Sequence, residues 1–470
     1  MTEPNAVNDP AAAVRIREII GYLLPVPMRV PLKFGTETID RVTCFRARVV
    51  VEDAAGQSAV GWGETPLSVT WAWPSPDLSI DHRYRAMVDG ARRMADRLVR
   101  SSPPGHAMDI GHDLIDTIVR DEVDRGRLPH LAALIVASAL DIAVHDAHAN
   151  AAGVDVYDLY RRDRLPGDLS RFFGDESERW TGIFLEDFLD FDPPVRMPVW
   201  HLVGGLDPID SGDLDSSAVL PDDGHPVTLR DWIRRDRLTH LKIKLRGNDS
   251  SWDDDRVRRV ATVASEEIGR NRFWLSTDFN CTVTDPAYVN DLLDRWRQDC
   301  PEWFERIRYV EQPFPHDLDA HRINVSSVAR RRDLFLDESA HDWRLVRLGR
   351  SLGWNGVALK TCKSQTGALL SMAWAKRAGM PLMVQDLTNP MLAQIPHVRL
   401  AAHVGTIAGV ESNAMQFYPD ASLPESAVHP GLYRRRDGEL DASTLGATGF
   451  GYRIDEIERE LPPPAVRAEA

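Results

Sequence analysis

The amino-terminal part of the chain shows the alternation of apolar and polar positions that is typical of β-strands. FRARVVVED at 45–53 alternates and is rich in β-branched residues, AAGQ at 54–57 supplies a turn, and SAVGWGET returns at 58–65. These features predict a three-stranded antiparallel meander over 14–62. The pattern then becomes helical, and 131–153 is apolar on most of its circumference before a glycine stop. We expect this helix to be buried at a domain junction.

From residue 197 onward, short apolar runs alternate with amphipathic stretches such as DRVRRVATVASEEI. The candidate strands are MPVWHLV (197–203), HLKIKL (240–245), FWLSTDF (273–279), RYVEQPF (308–314), LFLDES (334–339), GVALKTC (356–362), PLMVQDL (381–387) and GVESNAM (409–415). Strands and helices that alternate in this way form parallel βαβ units, and eight such strands predict a TIM-type barrel.

Composition narrows the class of protein. Hydrophobic content of 43% and charged content of 27% are ordinary for a globular chain. The net charge of −15 (56 − 71) argues against a nucleic-acid or membrane partner. The four cysteines include no CxxC pair, and the amino terminus has no apolar signal region, so we expect a reducing, cytoplasmic location.

One predicted strand carries two lysines on the same face. Lys242 and Lys244 in HLKIKL alternate with Leu241, Ile243 and Leu245. An unpaired buried ammonium group is costly, so such a pair indicates bound anions, a wet cleft or chemistry. The alternative is an exposed edge strand on which lysines prevent aggregation.

Polar residues follow the other barrel strands at regular intervals. Steps between them range from 23 residues (Asp337 to Lys360) to 34 residues (Lys244 to Asp278), each the length of one βα unit. In a TIM-type barrel these strand ends build the active site. The carboxylates of three consecutive strands would converge there with lysines on either side: Asp278, Glu311 and Asp337.

Three convergent carboxylates repel one another unless a cation neutralises them, and an all-oxygen site suits Mg²⁺, with Mn²⁺ as the alternative. Lysines near the metal are expected to have a depressed pKa and to act as bases. Each short motif alone also fits a helix cap or a strand end. Two other functions stay open: a glycosidase that uses Glu311 and Glu338, and a non-catalytic binding or structural barrel.

In these motifs the sequence resembles the enolase superfamily, specifically its muconate lactonizing enzyme subgroup (mandelate racemase/muconate lactonizing enzyme-like). The resemblance covers nearly the whole chain, including AVGWGETPLS, and rests on KIK, STDFN, YVEQP, LDES and LKTCKSQTG. It implies a modified (β/α)7β barrel with an α+β capping domain. The implied parts are a disordered tail at 1–13, the capping domain at 14–160, an insertion at 161–196, the barrel at 197–415 and a segment at 416–470 that packs back on the capping domain.

The resemblance also implies an activity. Members abstract a proton α to a carboxylate, stabilise the enediolate on Mg²⁺, and racemise, epimerise, eliminate or cycloisomerise their substrates. By position, the metal ligands are Asp278, Glu311 and Asp337, and the catalytic lysines are Lys244 and Lys360, supported by Lys242. The expected partner is a small-molecule carboxylate, and a homo-oligomer is expected.

Departures from the family bear on the substrate. GVESNAM lacks the DxD pattern of dipeptide epimerases, and no His-Asp dyad of sugar-acid dehydratases is present. Asn280 and Asp386 are candidate substrate-binding residues, although Asp386 also fits a helix cap. The family's two specificity loops correspond to segments that contain Met28 with Phe34, and Trp71 with Trp73. These side chains predict an apolar or aromatic pocket. The aromatic, acidic insertion is expected to cover this pocket or to mediate oligomerisation.

Overall fold

The computed structural model describes residues 13–34, 37–214 and 221–470. Strands β1 (Val14–Phe34), β2 (Glu37–Asp53) and β3 (Ser58–Pro66) pair antiparallel in chain order, which confirms the predicted meander. The predicted tail at 1–13 lies, apart from Ala13, outside the described residues.

Helices complete the amino-terminal domain. They are α1 (Val69–Ala72), α2 (Ile80–Ser101), α3 (Ala107–Asp113), a π-helical turn (Leu114–Val119), α4 (Arg120–Asp124) and α5 (His130–Ala152). By length and composition α5 is apolar enough to cross a membrane, but 94% of its apolar window is buried inside the protein. It packs on β2 and β3 on one side and on the barrel segment 361–363 on the other. The apolar circumference therefore reflects a helix enclosed between two domains.

The described residues form an eight-stranded parallel barrel, as predicted. Its strands are β4 (Arg196–Val203), β5 (His240–Lys244), β6 (Trp274–Asp278), β7 (Ile307–Glu311), β8 (Asp333–Leu336), β9 (Gly356–Leu359), β10 (Leu382–Val384) and β11 (Val410–Glu411). The order is β10-β9-β8-β7-β6-β5-β4-β11, and the end strands β10 and β11 lie against each other. The (β/α)7β fold class is confirmed.

The barrel helices lie between these strands. They are α6 (Leu229–Asp236), α7 (Ser250–Glu267), α8 (Pro286–Asp299), α9 (Pro301–Phe304), α10 (Ser326–Ala329), α11 (Trp343–Leu352), α12 (Gln365–Arg377) and α13 (Gln394–Val404). Several begin at an Asp or Thr whose side chain accepts a backbone N–H, as Thr228 does for α6 and Asp342 for α11.

The carboxy-terminal segment contacts both domains. It contains α14 (Ala414–Phe417), α15 (Leu423–Val428), α16 (Pro430–Tyr433), β12 (Glu439–Asp441) and β13 (Val466–Glu469). β12 pairs with β4, and β13 pairs antiparallel with β1, where Ala468 lies opposite Ile19.

The insertion at 161–196 packs on the outside of the barrel. Its Trp180 and Phe173 rings stack at 3.8 Å between centroids, and Phe173 also contacts Trp343 of α11. Trp374 of α12 donates its indole N–H to Glu176 at 2.8 Å. Among the described residues, none of the insertion lines the cavities at the strand ends, so of its two expected roles the structure gives no support to covering the pocket. Its role in oligomerisation stays a prediction.

Candidate active site

The strand register brings the predicted residues together. Lys244, Asp278 and Glu311 end three consecutive strands and are paired across β5, β6 and β7. Asp337 follows β8 directly, and Lys360 follows β9. The polar ends therefore meet at the carboxyl-terminal mouth of the barrel, where TIM-type barrels place their active sites.

Lys242 points into the barrel and is held by three carboxylates. Its Nζ lies 2.6 Å from Glu311, 3.1 Å from Asp278 and 3.0 Å from Glu411. The side chain is 2% exposed, so its charge is balanced by these partners rather than by water. Burial acts to lower the pKa of Lys242, but Glu311 and Glu411 outweigh it and raise that pKa.

The other two predicted lysines contact different carboxylates. Lys244 Nζ lies 2.5 Å from Asp278 Oδ2, and Lys360 Nζ lies 3.2 Å from Asp337 Oδ2. Lys360 also donates to the backbone carbonyl of Asp386 at 3.1 Å. The two ammonium groups thus flank the carboxylate cluster from β5 and from the segment after β9.

The expected depression of the lysine pKa is not found at Lys360. Burial lowers its pKa, but the carboxylate of Asp337 outweighs burial, and the pKa is raised. In return, Lys360 and Lys363 lower the pKa of Asp337 against the effect of burial. A cation that took over the charge of Asp337 would remove this effect on Lys360.

Sequence reasoning missed three members of this cluster. Lys363 is buried and lies 3.4 Å from Asp337 Oδ1. Gln385 donates its amide N–H to Glu311 Oε2 and, at 3.1 Å, to Tyr309. Glu411, at the end of the eighth strand, accepts from Lys242. A reading of each strand for its last polar residue would have found Glu411, which the search for a DxD pattern passed over.

Asp386 has a role that was not expected. Its carboxylate accepts the backbone N–H of Asn413 at 2.8 Å and the Asn413 side chain at 3.3 Å. Asp386 thus ties the end of β10 to the end of β11 rather than capping a helix, which was the alternative interpretation, and its predicted part in substrate binding stays a prediction. Burial raises the pKa of this carboxyl.

Trp71 joins the capping domain to the strand ends. Its indole N–H donates to Glu338 Oε1 at 3.1 Å, and the same oxygen accepts from Asn280 Nδ2 at 3.0 Å. The ring centroid lies 5.2 Å from Lys360 Nζ. The indole ring of Trp71 therefore lies over the ammonium group of Lys360, at a distance typical of a cation–π contact.

Two cavities reach this mouth. The Trp71 cavity has a volume of about 740 Å³ and is lined by residues 70–71 and 74–80 together with Arg83, Asn280, Cys281, His316 and Glu338. The Lys244 cavity, of about 220 Å³, lies on the other side of Asn280. Both domains therefore build the site.

The remaining predicted pocket residues lie elsewhere. Trp73 packs on the capping-domain core, and Met28 lines a separate cavity of about 750 Å³. The side chain of Phe34 lies outside the described residues. The predicted aromatic pocket is thus formed here by Trp71 with proline and aliphatic neighbours.

Helix α5 fixes the segment that carries Lys360. Asp141 accepts the backbone N–H of Thr366 at 2.8 Å and its hydroxyl at 2.9 Å, and His145 contacts that hydroxyl at 2.8 Å. The three residues are fully buried. Satisfied buried polar networks of this kind hold a segment in one position.

The donor set and the charge of the cluster fit a divalent cation. Within the described residues, six carboxyl groups of the cluster face four ammonium groups, a formal excess of two negative charges if every carboxyl is counted as ionised. The carboxyls belong to Asp278, Glu311, Asp337, Glu338, Asp386 and Glu411, and the ammonium groups to Lys242, Lys244, Lys360 and Lys363. All-oxygen donors suit Mg²⁺.

In the structure, carboxylate oxygens of Asp278, Glu311 and Asp337 contact lysine ammonium groups. No group of three or more His, Cys, Asp or Glu side chains in the described part of the chain is already arranged around a metal position. A cation held by Asp278, Glu311 and Asp337 would compete with the lysines that these oxygens contact, including Lys242 and Lys244. Glu411 is in place to keep the ammonium group of Lys242 paired.

Residues 227–458 match the family model described as enolase C-terminal domain-like. The barrel domain belongs to the enolase superfamily. This confirms the predicted family and, with it, the prediction of an enzyme. Among curated proteins no sequence match was found.

Solved structures share the fold over almost the full length. A muconate lactonizing enzyme from Mycobacterium smegmatis, in complex with muconolactone, has a TM-score of 0.63 at 16% identity, with 96% of this chain and 97% of that chain covered. The L-Ala-D/L-Glu epimerase from Bacillus subtilis has a TM-score of 0.59 at 18% identity, with 93% and 98% covered.

A third structure was solved with a metal. It is a dipeptide epimerase from Cytophaga hutchinsonii in complex with Mg and the dipeptide D-Ala-L-Val, with a TM-score of 0.58 at 18% identity, and 85% of this chain and 86% of that chain are covered. Identities this low show a common fold. The reaction of this chain must therefore be argued from its own residues.

Proposed function

We propose that this enzyme abstracts the proton α to the carboxylate of a small substrate, with Mg²⁺ as cofactor. Racemisation or epimerisation, β-elimination and cycloisomerisation all begin with this step. The observation that carries the proposal is the pair of lysines, Lys244 and Lys360, that flank one cluster of buried carboxylates from opposite strands.

Asp278, Glu311 and Asp337 would hold the metal. Bound there, a divalent cation draws electron density from the substrate carboxylate and so acidifies the α-proton. The residues of the chain supply the rest: the donor set for the ion, and the two ammonium groups that exchange protons with the substrate.

The lysines are suited to opposite proton transfers. Lys244 reaches the 220 Å³ cavity and is 12% exposed, so its amino group can exchange a proton with the α-carbon from that side. Lys360 is 4% exposed and lies beneath Trp71, where bulk water is excluded. Its ammonium N–H can return a proton to the opposite face of the carbon, which inverts the configuration.

The glycosidase alternative finds no support. Glu311 is fully buried, and its two oxygens accept from Lys242 and Gln385. A pair of carboxyls that acts on a sugar must both reach it.

Metal dependence and the Asp278→Asn variant test the proposal. The substitution removes a ligand charge, so exchange of the substrate α-proton should fall at least a hundredfold, and chelation of Mg²⁺ should do the same to the wild type. The readout is mass-spectrometric exchange with a panel of carboxylic acids in D₂O. Circular dichroism checks that the fold is kept.

Asp285→Asn is the matched control, because Asp285 caps helix α8 away from the site and asparagine is an equally good cap. It should leave exchange unchanged. Full activity of Asp278→Asn, or activity that persists without a divalent cation, would overturn the proposal.

A further inference from the structure

Three imidazole rings meet where the capping domain lies against the barrel. His130 is the first residue of α5, and His316 and His341 lie in the segments that follow β7 and β8. The Nδ1 atoms of His130 and His341 are 3.3 Å apart, and the centroids of the two rings are 4.9 Å apart. The His316 ring lies 6.2 Å from the His341 ring. None of the three has a part in the proposed proton transfer.

The distance between the two Nδ1 atoms is that of two ligands on one metal ion. Nitrogens bound at about 2.0–2.1 Å to a tetrahedral Zn²⁺ stand about 3.3–3.4 Å apart. A direct hydrogen bond between the two rings would be long at 3.3 Å. The geometry of the pair therefore fits a shared metal ion better than a shared proton.

The protonation state of the three rings suits metal binding. Burial lowers the pKa of His130, His316 and His341, so each imidazole is neutral near pH 7 and keeps a lone pair to donate. All three side chains are half-buried. His316 also lines the Trp71 cavity, which gives an ion a path to the rings.

The charges around the rings are close to balanced. Asp116 and Asp342 face His130 together with Arg120 and Arg344, so two carboxylates offset two guanidinium groups. Lys363 faces the other two rings, and its ammonium group contacts the carboxylate of Asp337 at 3.4 Å. A divalent cation at the rings would therefore meet no excess of positive charge.

We propose that His130, His341 and His316 bind a late first-row transition metal ion, such as Zn²⁺, which links α5 of the capping domain to the barrel. His130 and His341 already stand at ligand spacing. His316 becomes the third ligand when its side chain turns toward them. Imidazole selects Zn²⁺, Cu²⁺ or Ni²⁺ over Mg²⁺, so this site differs in chemistry from the carboxylate cluster and does not depend on the proposed function.

Calorimetric titration of the full-length protein with Zn²⁺, at pH 7 and with Mg²⁺ in excess, tests the site. His130→Gln and His341→Gln should each weaken Zn²⁺ binding at least about a hundredfold, and His316→Gln at least about tenfold, because each removes one ligand nitrogen. Zn²⁺ should also raise the Tm of the wild type and leave the Tm of His130→Gln unchanged. Circular dichroism checks that each variant keeps the fold.

Two further variants serve as controls. His82→Gln changes an exposed histidine on α2 and should bind Zn²⁺ as the wild type does. Zn²⁺ can also compete for the carboxylate cluster, so the titration is repeated with Asp278→Asn, which should keep the histidine site.

The outcomes decide the inference without reference to the reaction. Loss of one equivalent of Zn²⁺ in the three histidine variants, with binding kept in His82→Gln and Asp278→Asn, supports the site. A wild type that binds no Zn²⁺ would overturn it, and so would an unchanged affinity in any of the three histidine variants. Zn²⁺ binding that disappears only in Asp278→Asn would assign the ion to the carboxylate cluster and would also overturn the inference.

Discussion

Asp146 shows how burial sets the ionisation of a single residue. Its carboxyl lies where α5, β3 and the carboxy-terminal segment meet, and it accepts N–H groups from Trp62 at 2.9 Å and from Phe450 at 2.8 Å. These donors are neutral, and burial raises the pKa of Asp146 to about 7. The folded protein therefore holds a proton here that the unfolded chain releases.

This residue predicts a pH dependence of stability. Because the pKa of Asp146 is about 7 in the folded protein and 3.8 for an ordinary exposed aspartate, the folded state binds more protons between these values, and the contribution of Asp146 to stability falls as pH rises through that window. The free energy of unfolding of the wild type minus that of Asp146→Asn should thus decrease from pH 4 to 7. Urea denaturation at several pH values measures it.

The control for this prediction is Asp455→Asn, since the exposed carboxylate of Asp455 lines the same surface cavity as Asp146. The difference between the free energies of unfolding of the wild type and Asp455→Asn should stay nearly constant over the same pH range. A flat difference for Asp146→Asn, or one that grows with pH, would contradict the assignment.

Between elements, α5 and β3 approach each other closely at the level of the backbone. Gly61 and Gly63 lie against the helix backbone, and a Cβ on Gly63 would stand 2.2 Å from Ala139 O and 2.6 Å from Ala143 N. Backbone atoms cannot yield as a flexible side chain can. The GWG sequence therefore sets the distance between the capping sheet and the helix that fixes the Lys360 segment.

Gly63→Ala should accordingly destabilise the protein by about 3 kcal/mol or more, because the helix must move away from the sheet. Chemical denaturation measures the change. Gly212→Ala is the control, since a Cβ there meets nothing within 4 Å, and it should stay within about 0.5 kcal/mol of the wild type. A small effect at Gly63 would show that α5 is not held at this distance.

The same elements show what could be predicted from the sequence. All eight barrel strands were found, because each apolar run is bounded by turns and helices of regular length. The positions of Lys244, Asp278 and Glu311 followed from strand order alone. The partners of these residues did not, because the three carboxylates around Lys242 come from three separate strands.

Other features depend on tertiary contacts that no local pattern carries. By sequence the aromatic insertion fitted either a cover for the pocket or an oligomer contact, and in the structure its rings pack on α11, α12 and their neighbours. Asp386 fitted substrate binding or a helix cap, and in the structure its carboxylate joins the ends of two strands. Trp71 and Trp73 are two residues apart, yet only Trp71 reaches the site in the described structure.

In the whole molecule, the capping domain closes a barrel mouth that holds an unusual density of charge. The chain carries a net charge of −15, so in the proposed function a carboxylate substrate would depend on the bound divalent cation and the lysines of this mouth for attraction. In that function two of these lysines move a proton to and from the same carbon.

The most direct test is solvent deuterium incorporation by Lys244→Ala and Lys360→Ala beside the wild type, with Mg²⁺ in D₂O. Each variant removes one proton-transfer group, so racemisation should fall at least a thousandfold in both, and each should keep exchange with only one enantiomer of the substrate. Lys376→Ala, at a half-buried lysine on α12 that donates to Phe188, is the control and should behave as the wild type. Loss of exchange for one enantiomer in each variant would support two lysines on opposite faces of the substrate. Undiminished exchange of both enantiomers in either variant would contradict proton transfer by Lys244 and Lys360.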